Sequence, residues 1–471
     1  MTANRYARAI SYNFFYFALS SAAYLVLTPV AIRVMGDELY GLWSILFALA
    51  QFTSLGTLGI EPIVNKFAAE NSGDSTQTNR ILSSALVIVL VMAFALAIAV
   101  FFLRDLLTRA INPSSMYYNQ LNSSIVVYVF IIFPLFLTRV LRGFLLSRIL
   151  NSFVRLMDFF YALLPVIGGV LIAIFARDLY LMAIWNLVVV GVVFAAYAWK
   201  AASVIHFQFS PRRATIRQLL GLSGYMFLES SAITLFQKLD RILVAVLLGP
   251  AAAGFYTVAS GAGSRMSMLA GNISDVLIPY ASIKNAAQQK DSLERTVTRL
   301  SGYVSIVSAL VGGVFIVWMQ EILSLWISPA YAATNHFFFA IMIAAYGVLS
   351  LSRPAHHTLI GLGKVKITST TYVVATGSML AGLYFFSRRL GLPGAAAANA
   401  LMVLLLFFNI YLYGWLNREK SAGRLVADLL TGMLPLAVAL VMISLRLGWV
   451  YRAGFSLLLI LLVAWRLLRD R

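Results

Sequence analysis

Long apolar runs recur along the whole chain, and short polar connections separate them. Two of these runs, Ile81–Leu103 and Leu401–Leu416, contain no Asp, Glu, Lys or Arg. About 20 consecutive apolar residues span the roughly 30 Å hydrocarbon core of a bilayer as a helix. The apolar positions are continuous and do not alternate with polar ones, so the pattern predicts helices and argues against a transmembrane barrel.

The run pattern predicts an all-α integral membrane protein. The first run, Phe14–Ile32, is too long for the core of a cleaved signal sequence, so we expect it to remain as the first helix. About fourteen transmembrane helices are predicted, at 12–34, 40–68, 81–103, 123–146, 156–176, 179–199, 218–248, 253–282, 299–320, 334–352, 364–387, 392–416, 425–445 and 449–467.

Composition and charge fit a membrane protein. The 471 residues are 61% hydrophobic and 11% charged, against about 25% charged in a typical soluble domain. The net charge of +19 does not indicate nucleic-acid binding, because Lys and Arg lie in short clusters between apolar runs. These clusters favour alternate connections and both ends of the chain, which predicts cytoplasmic termini. The chain has no cysteine and its four histidines show no metal-ligand spacing, so no metal site is predicted.

Two turn motifs repeat at one sequence offset. Tyr12-Asn13-Phe14 matches Tyr225-Met226-Phe227, and Gly36 and Gly41 match Gly249 and Gly254. Chance alignment of common membrane residues is the alternative explanation, but the shared offset favours a true repeat. A parallel repeat predicts two six-helix bundles related by an approximate two-fold axis, with the substrate path between them. The predicted divisions are a first bundle at 1–213, a second bundle at 214–420, and two additional helices, 13 and 14, at 421–471.

Several short motifs resemble those of a known transporter family. The first hairpin reads Gly36-Asp37-Glu38-Leu39-Tyr40-Gly41-Leu42-Trp43, and the seventh segment contains Lys238-Leu239-Asp240-Arg241-Ile242-Leu243. Leu362-Gly363-Lys364-Val365-Lys366 follows the tenth segment. With these residues the whole chain resembles the Wzx-type oligosaccharide flippases, or polysaccharide transporters, of the MATE-like (MOP) superfamily.

The resemblance implies a function and a location. The cargo is a lipid-linked oligosaccharide on a polyprenyl pyrophosphate, moved from the cytoplasmic to the outer leaflet by alternating access for synthesis of cell-surface polysaccharide such as O-antigen or exopolysaccharide. The location is the bacterial cytoplasmic (inner) membrane, with a polysaccharide polymerase and glycosyltransferases as potential partners. The resemblance implies that the protein is not an enzyme, hydrolyses no ATP and requires no cofactor. With no nucleotide site in the sequence, we expect transport to depend on an ion gradient, of H+ or Na+, or on the substrate's own gradient. The sequence agrees that the protein hydrolyses no ATP, since it contains no phosphate-binding Gly-x4-Gly-Lys-Ser/Thr loop.

Charged residues inside helices are the candidate functional residues, since each costs roughly 2.5–3.5 kcal/mol on insertion scales. In the eighth segment Arg265, Met268, Asn272, Asp275 and Pro279 follow a three-four spacing and share one helix face. Either this face lines a cavity, with the Arg265 guanidinium binding phosphate oxygens, or it forms an internal ion pair. Any partner of Asp275 must come from another helix, because Arg265 lies about 15 Å along the same helix at 1.5 Å rise per residue.

Other candidates lie in both halves, and each has a structural alternative. Glu61, which precedes Pro62, is either a cation ligand or a carboxylate at a helix end. The arginines of the fourth segment either bind an anionic headgroup or anchor the inner face. Asp240 and Arg241 either contact the substrate or form a salt bridge. Arg353, His356 and His357 are expected in an inner-surface cluster without assigned chemistry. The predicted substrate-binding residues are Arg265, Asn272, Lys238, Arg241, Arg139 and Arg142. The predicted ion-coupling residues are Asp275, Glu61, Glu229 and Asp240.

Two other functions compete with the flippase. One is a cation-coupled exporter of small amphiphilic compounds with the same fold, whose pocket would be acidic for cationic drugs. The other is a membrane-embedded glycosyltransferase or polymerase, which needs a catalytic acid or base and a large outer loop. The longest predicted outer connection, 104–122, has only Asp105 as an acid. The mixture of arginine, lysine and acids inside the helices favours an anionic cargo.

Overall fold

The computed structural model describes residues 3–51, 60–71, 73–148, 150–222, 239–286, 288–416 and 419–469. These residues form helices and no strands, which confirms the predicted all-α class. Nine helical stretches among them are long and apolar enough to cross a membrane. Within a bilayer a helix satisfies its backbone hydrogen bonds internally, which is why continuous apolar runs adopt this structure.

The chain divides into two compact units, Met1–Gly254 and Phe255–Arg471. Unit 1 contains, in order, α1 (Ala3–Gln51), α2 (Ile60–Glu70), α3 (Ser75–Ile111), α4 (Ser115–Ser147), α5 (Asn151–Phe175), α6 (Leu179–Ala202), α7 (Arg213–Leu222), α8 (239–248) and the start of α9 (Pro250–Ser274). Unit 2 contains the rest of α9, then α10 (Leu277–Ala286), α11 (Lys290–Val317), α12 (Met319–Trp326), α13 (Pro329–Ser350), α14 (Arg353–Gly361), α15 (Val365–Asn399), a 3-10 stretch (Ala400–Leu406), α16 (Phe407–Leu416), α17 (Glu419–Ser444) and α18 (Trp449–Arg469).

Short polar side chains cap three of these helices at their N-terminal ends. Asp74 accepts from the backbone N–H of Gln77 at 2.9 Å and so begins α3. Asp178 accepts from Tyr180 at 2.7 Å and begins α6, and Ser328 accepts from Tyr331 at 3.2 Å and begins α13. Each cap satisfies an N–H that has no partner within its helix, so the polar connections fix where the apolar runs start.

Glycines divide two very long helices where the sequence predicts two segments each. In α1 the break is Gly36, with φ 74°, between the predicted segments 12–34 and 40–68. In α15 it is Gly391, with φ 62°, between 364–387 and 392–416. Positive φ costs little for glycine, so the chain turns there without the strain that a side chain would add. The seventh predicted segment lies largely outside the described residues, and the fourteenth is the shorter apolar helix Trp449–Ala464.

The predicted eighth segment, 253–282, is wrong as a single helix. It consists of α9, a turn at Asp275 and Val276, and α10. Proline has no backbone N–H for the carbonyl four residues earlier, and Asp275 stands four residues before Pro279. The residues from Arg265 to Asn272 therefore share α9, whereas Asp275 lies at the break and Pro279 belongs to α10.

Helix α4 lies at the centre of unit 1 and packs against α1, α2, α3, α5 and α6. Its buried side chains Phe136, Val140 and Phe144 form the core with Val154 of α5 and Tyr197 of α6. Any polar group on this face of α4 is therefore enclosed by neighbouring helices.

The two repeated glycine turns each begin with a glycine of positive φ, and they contact each other within unit 1. Gly249 has φ 90°, matching the positive φ of Gly36. A Cβ on Gly41 would overlap the carbonyl oxygen of Pro250, and a Cβ on Gly254 would lie 3.2 Å from the carbonyl oxygen of Asp37. Through this reciprocal contact the second turn belongs to unit 1. The bundle boundary at residue 213, which the sequence repeat predicts, stays a prediction.

The C-terminal helix pair packs on unit 2. Leu436 of α17 fits against Gly312 of α11 and Gly347 of α13. Arg452 of α18 forms an ion pair with Glu321 at 2.7 Å. Small-residue packing, the ion pair of Arg452 and a hydrogen bond from Trp318 to Ser456 at 3.1 Å thus hold the two additional helices predicted at 421–471, as is typical of helix association in membranes.

The close approach at Gly41 predicts a sharp difference between two glycine-to-alanine variants. Gly41→Ala must displace backbone at Pro250 and should destabilise the fold by about 1–3 kcal/mol, as overpacking does. Gly191 of α6 has open space around its Cβ position, so Gly191→Ala serves as the matched control and should leave the melting temperature unchanged or slightly raised. Thermal unfolding of the detergent-solubilised variants measures both, and equal melting temperatures would contradict the tight contact.

Candidate functional site

Two arginines project from α4, the central helix of unit 1. Arg139 and Arg142 are three residues apart, so they lie on the same side of the helix one turn from each other. Their side chains are 33% and 17% exposed. Charged groups enclosed to this extent in a membrane protein require counter-charges, because an unpaired buried charge is very costly.

Gly143 places the required carboxylate next to them. A Cβ at this position would lie 2.5 Å from the carbonyl oxygen of Glu61, so only glycine lets the start of α2 approach α4 this closely. The local sequence around Gly143 therefore brings the carboxylate of α2 within reach of the arginines of α4.

The five charged residues Glu61, Arg139, Arg142, Arg155 and Asp158 form what we call the unit-1 charge cluster. Nη1 of Arg139 donates to Oε2 of Glu61 at 3.2 Å, and Nη1 of Arg142 donates to Oε1 of Glu61. Arg142 also holds Asp158 with two bonds, from Nε at 3.3 Å and from Nη2 at 2.8 Å. Arg155 lies 3.6 Å from the same carboxylate. Arg142 thus bridges α2 and α5 through two acids.

The electrostatics of the unit-1 charge cluster favour an anion over a cation. Three guanidinium groups face two carboxylates, and both oxygens of Glu61 already face guanidinium groups. The predicted role of Glu61 in ion coupling stays a prediction. The structure brings together three of the predicted site residues: Glu61 meets Arg139 and Arg142, which lie about 80 residues further along the chain.

A second polar group surrounds α14 in unit 2. Nε and Nη2 of Arg353 donate to Oγ of Ser267 on α9, at 3.0 and 2.9 Å. Nη1 of Arg353 donates to the hydroxyl of Tyr372 on α15 at 3.4 Å. The first turn of α14 therefore ties together α9 and α15 through one guanidinium group.

The two histidines of α14 are buried, which corrects the expected inner-surface cluster. His356 is 4% exposed and stacks on Phe408 at 5.1 Å, and His357 is 9% exposed. Nδ1 of His357 lies 3.2 Å from Oδ1 of Asp275, at the break between α9 and α10. The partner of Asp275 comes from another helix, as predicted. A sequence pattern that placed 353–361 in a connection could not show that packing of this short helix encloses its imidazoles.

The remaining predicted residues lie apart from these contacts or outside the described residues. Arg265 donates through Nη1 to the carbonyl of Gly261 in its own helix at 2.8 Å, and Asn272 lies one to two turns further along α9. Asp240 is fully buried on α8 and accepts from the backbone N–H of Arg241 at 2.7 Å. Glu229 and Lys238 lie outside the described residues.

One buried acid was missed from the sequence. Asp428 of α17 is 5% exposed although it stands in the apolar run of the thirteenth predicted segment. The signal was present, since an acid inside an apolar run is itself a functional candidate. No group of three or more His, Cys, Asp or Glu with metal-binding geometry occurs among the described residues.

Comparison with solved structures identifies the fold. The lipid II flippase MurJ in an inward closed conformation superposes with a TM-score of 0.73 at 13% identity, covering 96% of this chain and 99% of that chain. An inward-facing multidrug resistance MATE family transporter of the MOP superfamily gives 0.72 at 13% identity, covering 86% of this chain and 94% of that chain. At these identities the likeness establishes the fold alone, which this chain shares with both proteins.

Sequence comparisons address the family. A Shigella flexneri protein named for O-antigen transport is 20% identical over 413 residues, which cover 84% of this chain and 94% of that protein. The model of the family described as "Polysaccharide biosynthesis protein" matches residues 8–285. The match extends over more than half of the chain and includes every residue of the unit-1 charge cluster. The chain belongs to the polysaccharide biosynthesis protein family.

Proposed function

We propose that the protein is a flippase that moves a polyprenyl-pyrophosphate-linked oligosaccharide from the cytoplasmic to the outer leaflet by alternating access, for synthesis of cell-surface polysaccharide. Membership of a polysaccharide biosynthesis family supports the pathway, and the MOP superfamily fold supports transport. On this proposal the protein resides in the bacterial inner membrane with cytoplasmic termini, and it carries out no chemistry on the sugar.

The unit-1 charge cluster is the observation that carries the proposal. A pyrophosphate leaving water requires fixed positive groups along its route, because a bare anion in hydrocarbon is very costly. The cluster offers three guanidinium groups against two carboxylates, and the Arg139 side chain is one-third exposed. Guanidinium groups match phosphate oxygens in geometry as well as charge.

The same fold also occurs in a multidrug resistance transporter, so export of small amphiphilic compounds is the second candidate. Reconstituted vesicles distinguish the two functions. The substrate is a fluorescent polyprenyl pyrophosphate that carries a short oligosaccharide and is present in both leaflets. An impermeant quencher added outside reaches only the outer leaflet, so we expect quenching of the inner-leaflet label as well only when the protein is present. Transport of a lipophilic cationic dye together with failure to flip the labelled lipid would instead support the exporter.

Arg265 remains a predicted contact for the anionic cargo. We expect Arg265→Ala to abolish complementation of a flippase-deficient strain, and Arg265→Lys to restore part of it, because an ammonium loses the bidentate geometry. Arg388→Ala, at an exposed position of α15, is the matched control and should complement fully. Immunoblotting of membranes checks abundance, and full complementation by Arg265→Ala at normal abundance would remove this residue from the anion route.

Energy coupling is proposed to use an H+ or Na+ gradient, with Asp275 as the acid tested first because His357 lies against it. We expect transport in sealed vesicles without ATP and acceleration by an imposed ion gradient. Asp275→Asn should lose this acceleration while downhill equilibration of the labelled lipid persists. Asp105→Asn, an exposed acid of α3, should behave as the wild type. A strict requirement for ATP hydrolysed by the purified protein, with no effect of pH or sodium, would exclude gradient coupling.

A further inference from the structure

The carboxylate of Glu61 occupies the position that an anionic ligand of Arg139 and Arg142 would take. One of its oxygens accepts from each arginine, in the way that two oxygens of a phosphate group pair with guanidinium donors. Arg139 makes no other hydrogen bond or ion pair within the described ranges, and one-third of its side chain is exposed. Its remaining N–H groups are therefore available to a second anion.

The two acids of the unit-1 charge cluster differ in how they are held. Asp158 receives a two-pronged contact from Arg142 and a further contact from Arg155, so it would remain paired if Arg142 turned. Among the residues that the structure describes, Glu61 is paired with Arg139 and Arg142 alone. If Glu61 withdrew, Arg139 would lose its counter-ion while Arg142 kept Asp158, and the pair would attract another anion, since a partly buried charge without a partner is unfavourable.

We propose that Glu61 is an internal counter-ion that a phosphate or pyrophosphate group displaces from Arg139 and Arg142. The proposal rests on the proposed function and adds the position and the competitor of the cargo's anionic group. In the ligand-free state the Glu61 carboxylate neutralises the arginine pair and ties α2 to α4. In the bound state the phosphate oxygens take both guanidinium groups, and α2 loses its ion pairs to α4.

Displacement couples ligand binding to the contact between α2 and α4. By linkage, whatever weakens the hold of Glu61 on the arginines must strengthen binding of the anion by the same free energy. This requirement separates Glu61 from a carboxylate paired elsewhere in the protein, because only the acid that shares its arginines with the anion competes directly for them.

The test measures binding of inorganic pyrophosphate to the purified full-length protein in neutral detergent by isothermal titration calorimetry. Glu61→Gln should lower the dissociation constant about tenfold, within the usual range of coupling between sites. Glu61→Asp, whose shorter side chain cannot reach both arginines, should give an intermediate value. In the Glu61→Gln background, Arg139→Gln should raise the dissociation constant again, to the wild-type value or above.

Glu321→Gln is the matched control. It removes one carboxylate from an arginine–glutamate pair in unit 2, with Arg452, and so changes the net charge by the same amount. It should change pyrophosphate affinity less than twofold. Unchanged affinity in Glu61→Gln, or an equal gain in Glu321→Gln, would overturn the proposal. Size-exclusion profiles and melting temperatures show that the variants are folded.

Two further arms separate the possible sources of the anion and the two proposals. Phosphatidylglycerol added to the detergent micelles tests whether an ordinary anionic lipid headgroup competes with pyrophosphate, and we expect weak competition. If phosphatidylglycerol displaced bound pyrophosphate as well as polyprenyl pyrophosphate does, the site would not be selective for the cargo's headgroup. Tighter pyrophosphate binding by Glu61→Gln without any lipid flipping by the wild type would refute the flippase and keep the counter-ion. Lipid flipping by the wild type, together with unchanged pyrophosphate affinity in Glu61→Gln, would support the flippase and refute the counter-ion.

Discussion

The bridge from Arg142 to two carboxylates is the interaction on which the charged part of unit 1 depends. A guanidinium enclosed in a helix bundle must be paired, and each carboxylate that pairs with Arg142 must come from another helix, because α4 contains no Asp or Glu. The result joins α2, α4 and α5 at one point. It also concentrates more positive than negative charge in a membrane-spanning unit, which is the property that an anionic cargo requires.

Close approach of backbones is the second constraint, and glycines provide it. Gly143 lets α2 meet α4 so that Glu61 reaches its arginines, and Gly41 lets the first glycine turn meet Pro250. In lipid there is no hydrophobic gain from burying one apolar helix against another, so packing of small residues and polar contacts holds helices together. The same principle explains the docking of α17, whose Leu436 fits against Gly312 and Gly347.

Broken helices place polar groups in unit 2. The break after Ser274 exposes Asp275 to His357, and the short helix α14 begins with an arginine that binds a hydroxyl of α9. Irregular backbone at membrane depth is tolerated only where protein or water satisfies it, and in transporters it often marks the substrate or ion site. The sequence contained the cause of one break, Pro279, but a continuous apolar pattern favoured a single helix there.

The sequence by itself determined the all-α membrane class, most helix positions and the glycine breaks at Gly36 and Gly391, because hydrophobic run length and backbone freedom are local properties. It also indicated Glu61, Arg139 and Arg142 as candidate functional residues, since a charged residue in an apolar run is costly to insert whichever partner it finds. Only the tertiary structure decided which charges meet. Arg142 pairs with Glu61 and Asp158, and Asp275 lies against His357. Pairing across helices depends on interhelical distances, which Gly143 sets in the first case and the break at Asp275 sets in the second. Burial of His356, His357 and Asp428 was decided in the same way, by neighbouring helices that no local pattern specifies.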